Sequence, residues 1–204
     1  MKKNKAYLPL LYSIIFIVLF NSIGSFLHFR LDLTSEKRYT LSEKTKKVLS
    51  ELDDLIYIQV YLKGDFPSGF KRLQKETEEI LEGFKNIAGK RLDFEFINPS
   101  EGSSEKDRNA VYQQLLEKGL KPTDLQVKEK TGMSSSIIFP GAIIYYKEKH
   151  LPLELLENQL GVLPEVALNN SIEMLEYQFI SAISKLTINR KEKIAFLSGH
   201  GELN

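Results

Sequence analysis

From Ala6 to Phe29 the chain carries no Asp, Glu, Lys or Arg, and that run limits what its N-terminus can be. About 20 apolar residues cross a hydrocarbon core as a helix, and a longer stretch fits with some tilt. Lipid offers peptide N–H and C=O groups no partner, so a lone spanning segment has to be helical. Leu8, Leu10, Ile14, Ile15, Phe16, Val18, Leu19 and Phe20 supply its apolar surface. Lys2, Lys3 and Lys5 precede the run and Arg30 follows it, which places the N-terminus in the cytoplasm by the positive-inside rule. Residues 1–30 are therefore expected to form a cytoplasmic tip and one transmembrane anchor, with everything later exported. A cleaved signal peptide is the competing reading, with a weak small-residue site at Ser22-Ile23-Gly24. Ile23, Phe26, Leu27 and Phe29 stay apolar past that site, which favours retention.

The rest has the composition of a folded domain: 204 residues, 27% charged and 42% hydrophobic. A net charge of +1 without a basic cluster argues against nucleic acid as a partner. There is no cysteine, so disulfides, thiolate nucleophiles and Cys-ligated metals are excluded.

Local patterns predict the order of elements. Thr40-Leu41-Ser42-Glu43 has the form of a capping box, opening a helix to about Leu52. Ile56, Ile58, Val60 and Leu62 alternate with Tyr57, Gln59 and Tyr61, which predicts a central strand covered on both faces. Between Pro67 and Ala88, Phe70, Leu73, Thr77, Ile80, Leu81, Phe84 and Ile87 form one helical stripe. A strand follows over Leu92–Ile97, and strand, helix and strand together predict a parallel βαβ unit. Ser104–Lys118 reads as a helix stopped at Gly119, and Leu125–Lys130, Ala142–Tyr146 and His150–Leu155 read as strands, the last two a hairpin. Pro140-Gly141 breaks the run from Ile137 to Tyr146. A helix covers Pro164–Leu186, which Asn170-Ser171-Ile172-Glu173 would cap if its regular turns begin late. A last strand over Lys193–Ser198 breaks at Gly199-His200-Gly201-Glu202.

The expected class is α/β: a transmembrane helix, then a thioredoxin-like βαβαββ domain without Cys over 34–160. A connecting helix over 164–190 and the first strand of a second α/β domain over 191–204 complete it. Thiol chemistry cannot accompany such a fold here. His28, His150 and His200 lack ligand spacing, so no metal site is expected. No Walker motif, nucleophile elbow or paired carboxylate stands out, and neither catalytic residues nor a cofactor is assigned. Two candidate partner or ligand surfaces remain. One is the loop with Asp65, Phe66, Pro67 and Gly69, whose bland reading is a plain β-to-α connection. The other is Asn169, Asn170 and Glu173, whose bland reading is helix capping. Gly199, His200 and Gly201 form a third, weaker candidate.

Several runs, in order, resemble the GldG family of gliding-motility auxiliary proteins from ABC transport systems of the Bacteroidota. They are Arg38–Ser42, Gly64–Leu73, Phe96–Pro99, Leu168–Glu173, Leu175–Phe179 and Ile194–Glu202, spanning most of 34–204. The resemblance implies a non-catalytic subunit of the bacterial inner membrane, its bulk in the periplasm. Its implied partners are a permease, a separate ATPase and membrane lipid; it leaves the transported substrate unnamed. It also implies that a second domain begins near Lys193, making the chain a fragment of a longer protein. The alternative is a membrane-anchored hydrolase or sugar-processing enzyme using His200 and Glu202, its site completed beyond Asn204.

Overall fold

A computed structural model describes residues 7–26, 41–102, 104–129, 132–157 and 161–188. The chain is a mixed α/β protein of two units, Met1–Thr40 and Leu41–Asn204. In the first, α1 covers Tyr7–Phe26 without a charged residue. Its described side chains, Pro9 and Leu11–Leu19, are exposed. Among the described residues, no helix is long and apolar enough to cross a membrane. The side chains of Leu8, Leu10 and Phe20, named as anchor residues, lie outside the described set, so the spanning segment expected over Ala6–Phe29 is left without that support.

The second unit is built on a four-stranded sheet. Its strands are β1 (Ile56–Val60), β2 (Leu92–Phe96), β5 (Gly141–Tyr146) and β6 (Lys149–Glu154), in the order β2-β1-β5-β6. β1 pairs parallel with β2 and antiparallel with β5, and β5 pairs antiparallel with β6. Between the parallel strands runs α3 (Ser68–Ala88), the crossover expected of a βαβ unit. β3 (Thr123–Glu129) and β4 (Gly132–Ile138) form a separate antiparallel ribbon. The sequence reading left β4 out, because Ser134-Ser135-Ser136 hides its alternation. Lys147-Glu148 alone joins β5 to β6, with Lys147 at φ 53°.

Alternation along the strands divides the core. Ile56, Ile58 and Val60 of β1 and Ala142, Ile144 and Tyr146 of β5 face α3, α2 (Glu43–Ser50) and α5 (Pro164–Thr187). Phe84 of α3 meets Phe179 of α5 edge-on, with ring centroids 6.4 Å apart. On the opposite face Ile143 and Tyr61 pack with Leu115 of α4 (Glu105–Glu117), Leu120 and Phe139. Gly141 has to be glycine: a Cβ there would sit 2.7 Å from Leu120 Cδ2 and 2.9 Å from the Leu153 carbonyl oxygen. β1 is central as expected, yet Tyr57 and Gln59 are only half-buried, so its second face is not fully covered.

Two expected caps are corrected. The residue that caps α2 is Ser42, not Thr40: its hydroxyl accepts the Thr45 N–H. Thr40 itself lies outside the described residues. α5 starts at Pro164, whose missing N–H suits a first helical turn. Asn170, Ser171 and Glu173 are therefore in its interior, where no cap is needed. Ser171, fully buried, instead donates to the Ala167 carbonyl and accepts the Glu157 N–H, tying the β6–α5 connection to the helix.

Glu176 of α5 fastens α2. Its Oε1 accepts from the Ser42 N–H at 2.9 Å and from the buried Thr45 hydroxyl at 2.6 Å. Glu176→Ala removes the acceptor of that hydroxyl's proton and leaves it only its bond from the Ser42 hydroxyl, and a net loss of about 0.5–1.5 kcal/mol per hydrogen bond is expected. The expected result is a lower urea midpoint for Glu176→Ala, with the slope of the transition unchanged.

At the end of β5, Asp53 accepts from Tyr146 Oη at 2.5 Å and from Lys147 Nζ at 3.3 Å. These bonds, the tyrosine's first, hold its carboxyl below the ordinary 3.8. A lowered folded pKa contributes stability above the ordinary value, and that stability is lost as pH falls through the folded one. Asp53→Asn should accordingly lose less stability than the unaltered chain between neutral pH and the acid side of 3.8 in thermal melts.

Candidate functional site: a cleft at the carboxyl ends of the parallel strands

β1 and β2 run parallel, so both deliver their following loops to the same edge of the sheet. β1 is flanked by β2 on one side and by the antiparallel β5 on the other, so the start of β5 meets the two loops at this edge. A cleft of about 190 Å³ lies at this edge. Tyr61, Lys63, Gly64, Asp65 and Phe66 come from the β1–α3 connection, and Asn98, Pro99 and Ser100 from the loop after β2. Ser136, Ile138 and Phe139 close it from the end of β4.

Backbone bonds prolong the ladder into the cleft and fix its floor. The Tyr61 N–H donates to the Gly141 carbonyl and the Ile97 N–H to the Val60 carbonyl, each at 2.8 Å. Phe66 and Phe70 stack at 6.2 Å, tilted, rooting the loop in the core below. Phe66, Ile138 and Phe139 give the cleft an apolar side, Asn98, Ser100 and Ser136 give it polar groups, and Lys63 and Asp65 add charges.

Several of its polar groups are already engaged or remain neutral. Burial, ahead of the neighbouring Tyr145 and Glu95, pushes the Tyr61 phenol to about 12, so it stays protonated near neutrality. Its hydroxyl donates to Gln59 Oε1 at 3.0 Å. Asn98 Oδ1 accepts the Ser100 N–H, and the Ser100 hydroxyl pairs with that of Tyr112 at 2.9 Å rather than with a base. Lys71 lies 2.8 Å from Asp65 and holds that carboxyl below its ordinary value. Both side chains are well exposed, so the pair adds little to stability. Among the described residues no cluster of three or more His, Asp or Glu is placed to hold a metal.

The sequence candidates are distributed unevenly. Asp65 and Phe66 line the cleft, and Pro67 precedes the first residue of α3. Gly69 faces away from it, toward Leu168 of α5, whose Cδ1 would stand 2.7 Å from an added Cβ. Asn169 also meets α3, accepting from Arg72 Nη1 at 3.0 Å. The two candidate surfaces thus adjoin along the α3–α5 seam, with Gly69 and Asn169 serving helix packing. Glu173 is exposed on α5 and Asn170 half-buried. Gly199, His200 and Gly201 lie outside the described residues, as does the strand expected over Lys193–Ser198. Tyr61, Ser136, Ile138 and Phe139 were not foreseen as lining residues; the Asn98-Pro99 stop after β2 was the one signal in the sequence for that side.

Residues 35–145 match a family described as a domain of unknown function, DUF7088. The chain belongs to the DUF7088 family. Every residue lining the cleft falls within the DUF7088 match, which ends in β5 at Tyr145 and leaves out β6 and α5. The chain is also similar to an uncharacterized protein of Borreliella burgdorferi, with 24% identity over 203 residues. That alignment takes in 99% of this chain and 36% of the relative, so the chain spans about a third of that protein's length. No solved structure matches.

Proposed function

We propose that this DUF7088 protein is a membrane-anchored, non-catalytic auxiliary subunit of an ABC-type transport system associated with bacterial gliding motility. Its α/β unit stands in the periplasm, is thioredoxin-like, and binds a substrate or partner protein at the cleft beside Phe66. One observation carries the reading: a helix without charge accompanies a folded unit whose cleft holds no activated nucleophile or acid–base pair. The strand order β2-β1-β5-β6, with α3 and α5 on one face and α4 on the other, supports the thioredoxin-like assignment, the β3–β4 ribbon being an insertion. The transport context comes from the resemblance to the GldG family over residues 34–204.

The test is capture of an epitope-tagged full-length protein from its own host in mild detergent. The expected result is co-recovery of a permease and an ATPase in fixed ratio. Recovery of the tagged protein without either, across detergents, counts against the reading.

A further inference from the structure

The sheet carries a second surface, on the half of its face that α4 leaves open. Pairing register places Asp93, Tyr57, Tyr145 and His150 in one row across all four strands, with Glu95 and Gln59 in the next. α4 packs over the neighbouring stretch, where Leu115 and Val111 meet Ile143 and Tyr61 and the cluster reaches one side of Tyr145. Tyr57, Gln59 and Tyr145 are half-buried, and His150, Asp93 and Glu95 are exposed. The Tyr57 and Tyr145 rings are 6.4 Å apart and tilted by 35°; Tyr145 and His150 are 6.0 Å apart and tilted by 36°. Three aromatic rings therefore form a continuous strip over three adjacent strands.

Fixed polar groups border the strip. Gln59 Nε2 donates to Glu95 Oε1 at 2.9 Å, and the Tyr57 hydroxyl, with Gln59, holds the Glu95 carboxyl below its ordinary value. Lys118 Nζ is 2.9 Å from the Tyr145 hydroxyl and 5.5 Å from its ring centre. Asp93 is paired with Lys85 at 2.7 Å. The two carboxylates are thus matched by two ammonium groups around the strip.

That balance selects the occupant. A nucleic-acid strand needs an excess of cations, which this face lacks. A basic peptide needs carboxylates without partners, yet Asp93 already has its lysine and Glu95 accepts from Gln59 and the Tyr57 hydroxyl. An uncharged polyhydroxylated ring uses everything present. Its C–H face lies on the aromatic strip, its hydroxyls donate to Glu95, and they accept from Lys118 and the Gln59 amide. We propose that Tyr57, Tyr145 and His150 form a binding platform for an uncharged saccharide. The proposal stands on the sheet face alone and is independent of the transporter reading.

The test uses the full chain in lipid nanodiscs free of sugar headgroups. Probes are the tetrasaccharides of glucose in β1,4 and α1,4 linkage and of N-acetylglucosamine, with oligolysine and single-stranded DNA as counter-probes. Calorimetry reports binding directly. The expected result is saturable binding of at least one tetrasaccharide, weakened tenfold or more in Tyr145→Ala and in the exposed His150→Ala. Thermal melts of each variant accompany the titrations, and His150→Ala keeps the test decisive if Tyr145→Ala fails to fold. No saturable sugar binding, binding indifferent to His150→Ala, or tighter binding of oligolysine or DNA at this strip overturns the proposal.

Discussion

Replacing Phe179 by alanine should lower the unfolding free energy by about 3–5 kcal/mol, the range for emptying a buried aromatic site. Phe179 is fully buried on the inner side of α5, and its ring meets Phe84 of α3 edge-on at 86°. α3 and α5 pack on the same side of the sheet, sharing a core with Ile58 and Ile144. Neither helix is free to collapse into the void. Leu168 already closes on Gly69, and Glu176 ties α5 to α2. With domains of this kind stable by about 5–15 kcal/mol, that loss takes a third or more of the total in most cases. Phe179→Leu keeps most of the volume and should cost markedly less. Urea titration followed by circular dichroism checks both, and a loss below about 1 kcal/mol for Phe179→Ala would mean that this contact is not part of the core.

The second large effect concerns α1. Ile15→Arg with Val18→Arg puts two cations three residues apart, on one side of the helix and near its middle. If the helix spans lipid, each costs about 2.5–3.5 kcal/mol on the insertion scale, since the guanidinium cannot shed its charge. At 1.4 kcal/mol per tenfold change, the pair shifts the membrane partition by roughly ten-thousand-fold. The expected outcome is near-complete loss of the double variant from the membrane pellet, while Ile15→Leu with Val18→Leu remains there. Unchanged pelleting of the arginine variant would show that α1 is held by something other than lipid.

How much of this architecture was written in local pattern depends on the element. α3 was legible almost to the residue, because Phe70, Leu73, Thr77, Leu81 and Phe84 repeat at helical steps and Gly89 ends them. The β1–β2 parallel pair followed from it, since a single long helix between two strands leaves little choice. β4 was not legible: three serines in a row carry no face preference, and its pairing with β3 is a tertiary choice. The caps were ambiguous for a related reason. Thr40 and Ser42 both offer a hydroxyl, and the contact that selects Ser42, its N–H on Glu176, comes from a helix 134 residues away in sequence. For the cleft, the half built by Asp65 and Phe66 could be read from a loop entering a helix. Ser136, Ile138 and Phe139 could not, since their place depends on where the unread strand ends. The open aromatic strip was missed because alternation in β1 shows two apolar faces without showing over which part of the sheet α4 would pack.

The central claim is that α1 holds the α/β unit on the outer side of the inner membrane. It is tested most directly by fractionating cells that express the full-length chain, washing the membranes at alkaline pH, and adding protease to intact spheroplasts. The account predicts that the chain stays with the washed membranes and that protease digests residues beyond Arg30 without lysis. Release into the wash, or protection of the α/β unit until the cells are broken open, would contradict it.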